Sequence, residues 1–236
     1  MKTKAKIVSN DKLTQDVHMM TFEMEKCNFK RPGQYAIVEA GGLKRPYQVC
    51  SYDSNRFTIV FKKDGGESSK LADLKSGTEI EADTGLGKGF EYEYLPEEVH
   101  LVADETGISE MFGLARGLLV RGIKSKLLVS FPSKDSIYMV DSFRNLVSEI
   151  EVLTEDGSNG REGRASEGVR NANYVLACGS MDMLRDLNSR CENGQFSFSA
   201  YLQDDCPVET KVGRAYCREE GPVFDKNIID WNKTAV

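Results

Sequence analysis

The chain predicts an antiparallel β-barrel, then an α/β half built on a parallel sheet, then a short C-terminal tail. Three observations predict this. Residues 1–98 carry many short β-rich runs separated by turn signals. Near residue 98 the hydrophobic period changes, and buried-type strands begin to alternate with helical stretches over 99–195. Residues 196–236 then stand apart as a tail.

Each element has a local reason. In the first part, Val17–Met24 and Gln34–Glu39 are β-rich, and Pro32-Gly33 and Gly41-Gly42 punctuate them. Arg56–Lys62 alternates as a half-buried strand does, Leu74–Thr78 reads as a turn, and Glu79–Asp83 follows as a strand. In the second part, Val99–Ala103 reads as a buried strand. Gly107–Gly122 places Ile108, Met111, Phe112, Ala115, Leu118 and Leu119 on one helical face. Lys126–Phe131 predicts a strand, 142–148 a helix, Glu149–Thr154 a strand, Ala172–Ala177 a strand and Met181–Arg190 a helix. Strand and helix in alternation imply crossover connections and a parallel sheet. The 155–171 loop is long and rich in Gly, Glu and Arg, which marks a functional or mobile segment.

Composition narrows the function. A length of 236 residues suffices for a large core without staples, and a net charge of -6 argues against a nucleic-acid partner. The basic start Met1-Lys-Thr-Lys-Ala-Lys-Ile7 is interrupted by Ser9-Asn10-Asp11 before any apolar run develops. No stretch is apolar enough to span a membrane, so a soluble cytoplasmic protein is expected. The six cysteines (27, 50, 178, 191, 206, 217) are scattered without a Cys-x-x-Cys, and His18 and His100 stand far apart. Structural disulfides and a zinc site are therefore not expected, and no metal ligand is assigned.

Three segments carry a resemblance. They are Lys44-Arg45-Pro46-Tyr47-Gln48-Val49, Thr84-Gly-Leu-Gly-Lys-Gly-Phe90, and Cys206…Cys217-Arg-Glu-Glu-Gly-Pro-Val-Phe224. In this order they resemble the electron-transfer subunit of dihydroorotate dehydrogenase, a branch of the ferredoxin-reductase superfamily, over nearly the whole chain. The resemblance implies FAD on the barrel, electrons from NADH, a [2Fe–2S] cluster in the tail and a partner subunit. For FAD, Arg45 supplies a bidentate cation for the pyrophosphate. Pro46 fixes the strand end and Tyr47 stacks on the ring. Gln48 stands where the family has Ser, as the donor beside the flavin N5. The strand Val60-Phe61-Lys62 precedes Glu67-Ser68, which falls at the family's Gly-Thr. There Ser68 keeps a hydroxyl, whereas Glu67 brings a carboxylate near phosphate. On their own, Arg45-Pro46-Tyr47 read more readily as an edge strand with an exposed Arg.

The nucleotide and cluster parts depart further from the pattern. The family's glycine-rich turn, Gly-Gly-Gly-x-Gly-x-x-Pro, is here Ala103-Asp-Glu-Thr-Gly-Ile-Ser-Glu110, in which Gly107 and Ile108 survive. Asp104 and Glu105 suit a helix N-terminus but repel a dinucleotide's phosphates. Thr154-Glu-Asp-Gly-Ser158 and Ala177-Cys178-Gly179 do match the family, whose Cys-Gly lies by the nicotinamide; Cys178 reads equally as a small buried strand-end residue. NAD(P)H is thus the weaker cofactor expectation. In the tail Cys206 and Cys217 match two of four cluster thiolates, while Lys211 and Arg214 occupy the intervening positions, so a [2Fe–2S] cluster is not expected. Two functions stay open: a flavoprotein electron-transfer subunit with oxidoreductase chemistry at Gln48 and Cys178, or a scaffold relative that has lost its redox chain.

Overall fold

The structure is a computed structural model and describes residues 2–170 and 172–234. Positions 1, 171, 235 and 236, which fall in the expected end segments and in the 155–171 loop, lie outside it.

The first part forms six strands: β1 (Thr3–Lys12), β2 (Val17–Met24), β3 (Tyr35–Ala40), β4 (Leu43–Tyr52), β5 (Arg56–Lys62) and β6 (Glu79–Leu86). They close into an antiparallel barrel in the order β1-β2-β5-β4-β3-β6. Inward alternation drives the closure. Met20 pairs with Ile59 and Phe22 with Phe57 across β2 and β5, and all four side chains are buried. The Phe22 and Phe57 rings stack with centroids 4.8 Å apart. Each such ring contributes on the order of 2 kcal/mol when buried. A short helix, α1 (Glu67–Ala72), packs Leu71 and Ala72 into this same core.

The second part comprises β7 (Glu98–Asp104), α2 (Ile108–Val120), β8 (Lys124–Phe131), β9 (Glu149–Thr154), β10 (Arg161–Glu162), α3 (Ala165–Gly168), β11 (Tyr174–Cys178), α4 (Met181–Arg190) and β12 (Asn193–Ser197). The tail adds β13 (Pro207–Thr210), β14 (Gly213–Tyr216) and β15 (Val223–Asp225). The main sheet runs β10-β9-β8-β7-β11-β12-β15. Its ladders are parallel except that β15 lies antiparallel to β12. Apolar clusters cover both faces, as a parallel sheet requires: α2 packs on one, α3 and α4 with the C-terminal segment on the other.

Four details differ from expectation. Residues 142–148 do not form an α-helix; a 3-10 turn spans Val140–Phe143, with Met139 before it at φ 61°. Phe143 is the only residue of 142–148 that is fully buried, so the segment offers no continuous apolar face for a helix. On α2, Leu119 is 50% exposed, and Leu114 is buried instead. The 155–171 segment contains β10 and α3, and its first turn is tied by Thr154 Oγ1 to the backbone of Asn159. The boundary expected at 195/196 falls inside β12, so the tail begins within the sheet.

The two halves meet where α2 lies on β4. A Cβ added to Gly113 would come 2.7 Å from the Cys50 carbonyl oxygen, so only glycine permits this approach. The docking leaves a cleft between the barrel and the C-terminal edge of the parallel strands, where open α/β sheets place ligands. Among the described residues, no helix is long and apolar enough to cross a membrane.

Candidate functional site

Strand β4 carries Arg45, Pro46, Tyr47 and Gln48, and each is differently engaged. The Arg45 side chain is only 22% exposed. Its Nε donates to Gln203 Oε1 at 2.9 Å, and Gln203 Nε2 donates to the Pro46 carbonyl at 2.9 Å. Its acidic partners are looser: Asp64 Oδ2 at 3.4 Å and Glu67 Oε2 at 3.9 Å. Asp64 is held below the usual carboxylate range by the Ser68 hydroxyl, by the Gly66 N–H and by Arg45. Ser68 is therefore spoken for within its own turn, donating to Asp64 and accepting from the Asp64 N–H at 2.9 Å.

Tyr47 is not an open platform. It is 7% exposed in the barrel core, with its ring edge-on to Phe61 at 5.7 Å. What it offers is its hydroxyl, which is buried with no hydrogen-bond partner. Burial pushes the phenol up to about 12, and the group feels the charges of Arg45, Asp64 and Glu67. Val60, Phe61 and Lys62 end β5 at a cavity of about 140 Å³, which Glu105, Thr106 and Tyr138 close from the sheet side. Lys62 Nζ lies 3.5 Å from both Asp16 and Glu105. Tyr138 also lines an adjoining cleft of about 830 Å³ that runs past Met19, Thr21 and Cys50.

The sheet side is built by the turn between β7 and α2. Gly107 caps α2, and a Cβ there would overlap the Cys178 carbonyl. Its glycine is thus required by packing against β11. Asp104 is not a cap for α2. Its Oδ1 accepts from the Thr106 N–H at 2.9 Å and hydroxyl at 2.7 Å, and its Oδ2 accepts from the Ser180 N–H at 2.7 Å, at the start of α4. Glu105 pairs with Lys62, and its carbonyl accepts from the Tyr138 hydroxyl. The turn is filled by its own groups.

Gln48 and Cys178 do come together. Gln48 Nε2 donates to Ser199 Oγ and lies 3.6 Å from Cys178 Sγ; Ser199 Oγ lies 3.2 Å from the same sulfur. Cys178 is fully buried, and burial drives its thiol well above the ordinary range. It is a neutral thiol, not a thiolate nucleophile.

In the tail, Cys206 and Cys217 flank the β13–β14 hairpin as free thiols. Lys211 lies in the turn, and Arg214 Nε donates to Glu209 Oε1 at 2.7 Å. Burial pushes Cys217 up to about 12. Among the described residues, no three His, Cys, Asp or Glu side chains gather to hold a metal ion. This donor set does not fit a four-thiolate cluster.

Sequence reading missed two residues of the site, Gln203 and Ser199, and a buried acid beside it, Glu110. Gln203 clamps β4 from 157 positions away, which no local pattern reveals. Glu110 is buried on α2, and its signal was its place in register with Leu114 and Leu118 on the apolar face.

No family model matches the chain. It is 30% identical over 94% of its length to a dihydroorotate dehydrogenase B (NAD(+)) electron transfer subunit from Caldanaerobacter subterraneus subsp. tengcongensis, 96% of which is covered. It is 27% identical to the subunit of the same name from Clostridium perfringens, with 94% and 95% coverage. Among solved structures, the NADH-dependent reduced ferredoxin–NADP oxidoreductase studied for flavin-based electron bifurcation aligns with TM-score 0.86 at 23% identity, over 97% of this chain and 90% of that one. A ferredoxin NADP+ reductase from Neisseria gonorrhoeae with bound FAD and NADP aligns with TM-score 0.68 at 18% identity, over 80% and 89%. With the barrel, the doubly covered sheet and the cleft between them, these likenesses place the chain in the dihydroorotate dehydrogenase B electron transfer subunit family, an oxidoreductase family of ferredoxin-reductase fold.

Proposed function

We propose that this protein is a flavoprotein electron-transfer subunit that holds FAD at the barrel and exchanges electrons with a protein partner. The observation that carries this reading is the buried, partnerless hydroxyl of Tyr47, which feels the charge of Arg45 two residues away on the same strand. A buried polar atom without a partner is rare and calls for an explanation. A phosphate oxygen beside Arg45 would satisfy it, and Arg45 can exchange its two loose carboxylate contacts for the stronger bidentate phosphate geometry. FAD, when bound, supplies the means to take up and pass on electrons.

The chain's own residues would do the rest. Arg45 and Tyr47 would hold the pyrophosphate, with Pro46 fixing the strand and Ser68 shaping the 64–68 turn. Val60, Phe61 and Lys62 would line the ring's edge. Gln48, oriented by Ser199, would direct an N–H at the ring. Admission of the ring requires the Lys62–Glu105 pair to open, because a drug-sized ligand occupies roughly 300 Å³ or more and the cavity beside that pair is about 140 Å³. In this reading the barrel serves as the FAD domain, the α/β half frames the cleft, and the tail clamps β4 through Gln203. The partner is the catalytic subunit implied by the relatives' names.

A second reading, a scaffold without a redox chain, is favoured by Glu67 and Asp64 facing Arg45 where phosphate would lie. A single titration separates the two. Apoprotein titrated with FAD should quench flavin fluorescence and acquire the flavin's visible bands. Arg45→Ala should weaken this by about 30-fold, the equivalent of about 2 kcal/mol for a charge-assisted contact. A wild-type protein that stays colourless in excess FAD would favour the scaffold. Unchanged affinity in Arg45→Ala would remove the assignment of the phosphate site.

A further inference from the structure

The carboxyl of Glu110 takes no part in the flavin reading above, yet it is buried with little to compensate its charge. It sits in the first turn of α2 and is 1% exposed. Ile108, Met111 and Leu114 of the same helix are buried around it. Its polar company is the Ser197 hydroxyl of β12 and the Cys178 thiol of β11. One of its carboxyl oxygens, Oε1, has no hydrogen-bond partner, and neither has the Ser197 hydroxyl. Among the described residues, no lysine, arginine or histidine pairs with it. The remaining charged group acting on the same thiol is Asp104 at the end of β7, of like sign. The α2 dipole favours an anion here, but burial opposes it and wins, pushing the acid up to about 7.

The cluster runs on to the barrel. Cys178 Sγ lies 3.2 Å from Ser199 Oγ and 3.6 Å from Gln48 Nε2. One side chain, that of Cys178, therefore separates the Glu110 carboxyl from Gln48 on β4. That interior is apolar and poorly screened, so charge at one end is felt at the other.

We propose that Glu110 is a redox-linked proton-binding site, taking a proton from solvent when electrons arrive at the Gln48 edge of the flavin site and releasing it when they leave. The change at Glu110 is carboxylate plus proton to carboxylic acid. The electrons come from the partner subunit, and no bond to the cofactor forms or breaks in this step. Negative charge at the Gln48 edge raises the proton affinity of Glu110, and by reciprocity a protonated Glu110 raises the electron affinity of the site. The inference rests on the flavin reading above.

The test uses FAD-loaded wild type, Glu110→Gln and Glu110→Asp, reduced electrochemically from about pH 6 to about pH 9, a range spanning an acid titrating near neutrality. In wild type and Glu110→Asp the midpoint potential should fall more steeply with pH than in Glu110→Gln, by up to one additional proton per electron pair. The reduced-minus-oxidised infrared spectrum should gain a carboxylic-acid C=O band that Glu110→Gln lacks. Identical pH dependence and infrared difference in wild type and Glu110→Gln would overturn the proposal. If Glu110→Gln does not fold, the wild-type infrared difference decides alone, and absence of the acid band overturns it. If no FAD binds, the flavin reading falls and the linkage with it, whereas an unlinked Glu110 in FAD-loaded protein removes the linkage only.

Discussion

The two walls of the cleft use their polar groups in opposite ways. On the barrel wall, Arg45 holds its acids at 3.4 and 3.9 Å and Tyr47 keeps a hydroxyl with no partner. On the sheet wall, Asp104 makes contacts of 2.7 to 2.9 Å within its own turn and to Ser180, and Gly107 is pressed against the Cys178 backbone. One wall has unspent capacity for an anion; the other has consumed its donors and carries negative charge. The difference teaches that a surviving glycine is not by itself a surviving phosphate site. Gly107 persists because a strand lies under it, and Gly113 because β4 does.

That contrast can be broken most severely at Gly107. If packing is its role, Gly107→Ala should cost about 3 kcal/mol of stability with no nucleotide present, because the obstacle is backbone that cannot swing away. Urea unfolding measures it, and a loss below about 0.5 kcal/mol, the range of an ordinary surface change, would contradict the packing role.

Glu110 should give an effect of similar size that depends on pH. Its folded acidity lies near 7, above an ordinary value of 4.5. The folded state thus binds more protons than the unfolded state between those values, and stability falls as pH rises from about 4.5 to about 7, then levels off. The span amounts to about 3 kcal/mol at 1.36 kcal/mol per unit. Glu110→Gln should abolish this slope, so that its melting temperature exceeds the wild type's at pH 8 by more than at pH 5. Parallel melting curves across pH would show that the carboxyl is not buried as described.

Glu105 sharpens the comparison at lower amplitude. Asp104 cannot be removed cleanly, since it builds the turn, but Glu105 contributes its side chain to Lys62 alone. Glu105→Gln should improve NADH affinity a few-fold by lifting one repulsion near the turn. It should also ease FAD entry by freeing Lys62, so FAD association measured by stopped-flow fluorescence should quicken. No change in either rate or affinity would mean that the Lys62–Glu105 pair gates nothing. Smallest of all is Arg214→Ala: its pair with Glu209 is on the exposed hairpin, and its loss should move stability by less than about 0.5 kcal/mol.

Much of the fold was legible locally. The bounds of β2, β5, β9 and α4 coincide with runs whose period and turn signals were plain in the chain. The barrel-then-sheet order followed from the change of period near residue 98. What was not legible depended on distance. Tyr47 was expected to stack on a ligand, but Phe61, fourteen positions on, draws it into the core. Gln203, Ser199 and Glu110 acquire their meaning only when the 199–203 segment, β11 and α2 converge on β4. The end of β12 (196–197) and all of β15 fall in the segment expected as a separate tail, because a short strand pairing antiparallel at a sheet edge leaves little pattern in sequence.

We propose that the barrel wall still takes FAD while the sheet wall no longer takes a dinucleotide. The most direct measurement is anaerobic stopped-flow mixing of FAD-loaded protein with dithionite and, separately, with NADH and NADPH at micromolar nucleotide. The account predicts complete bleaching of the flavin bands by dithionite and slow or no bleaching by either nucleotide, whereas bleaching by NADH as fast as in ordinary reductases would contradict it.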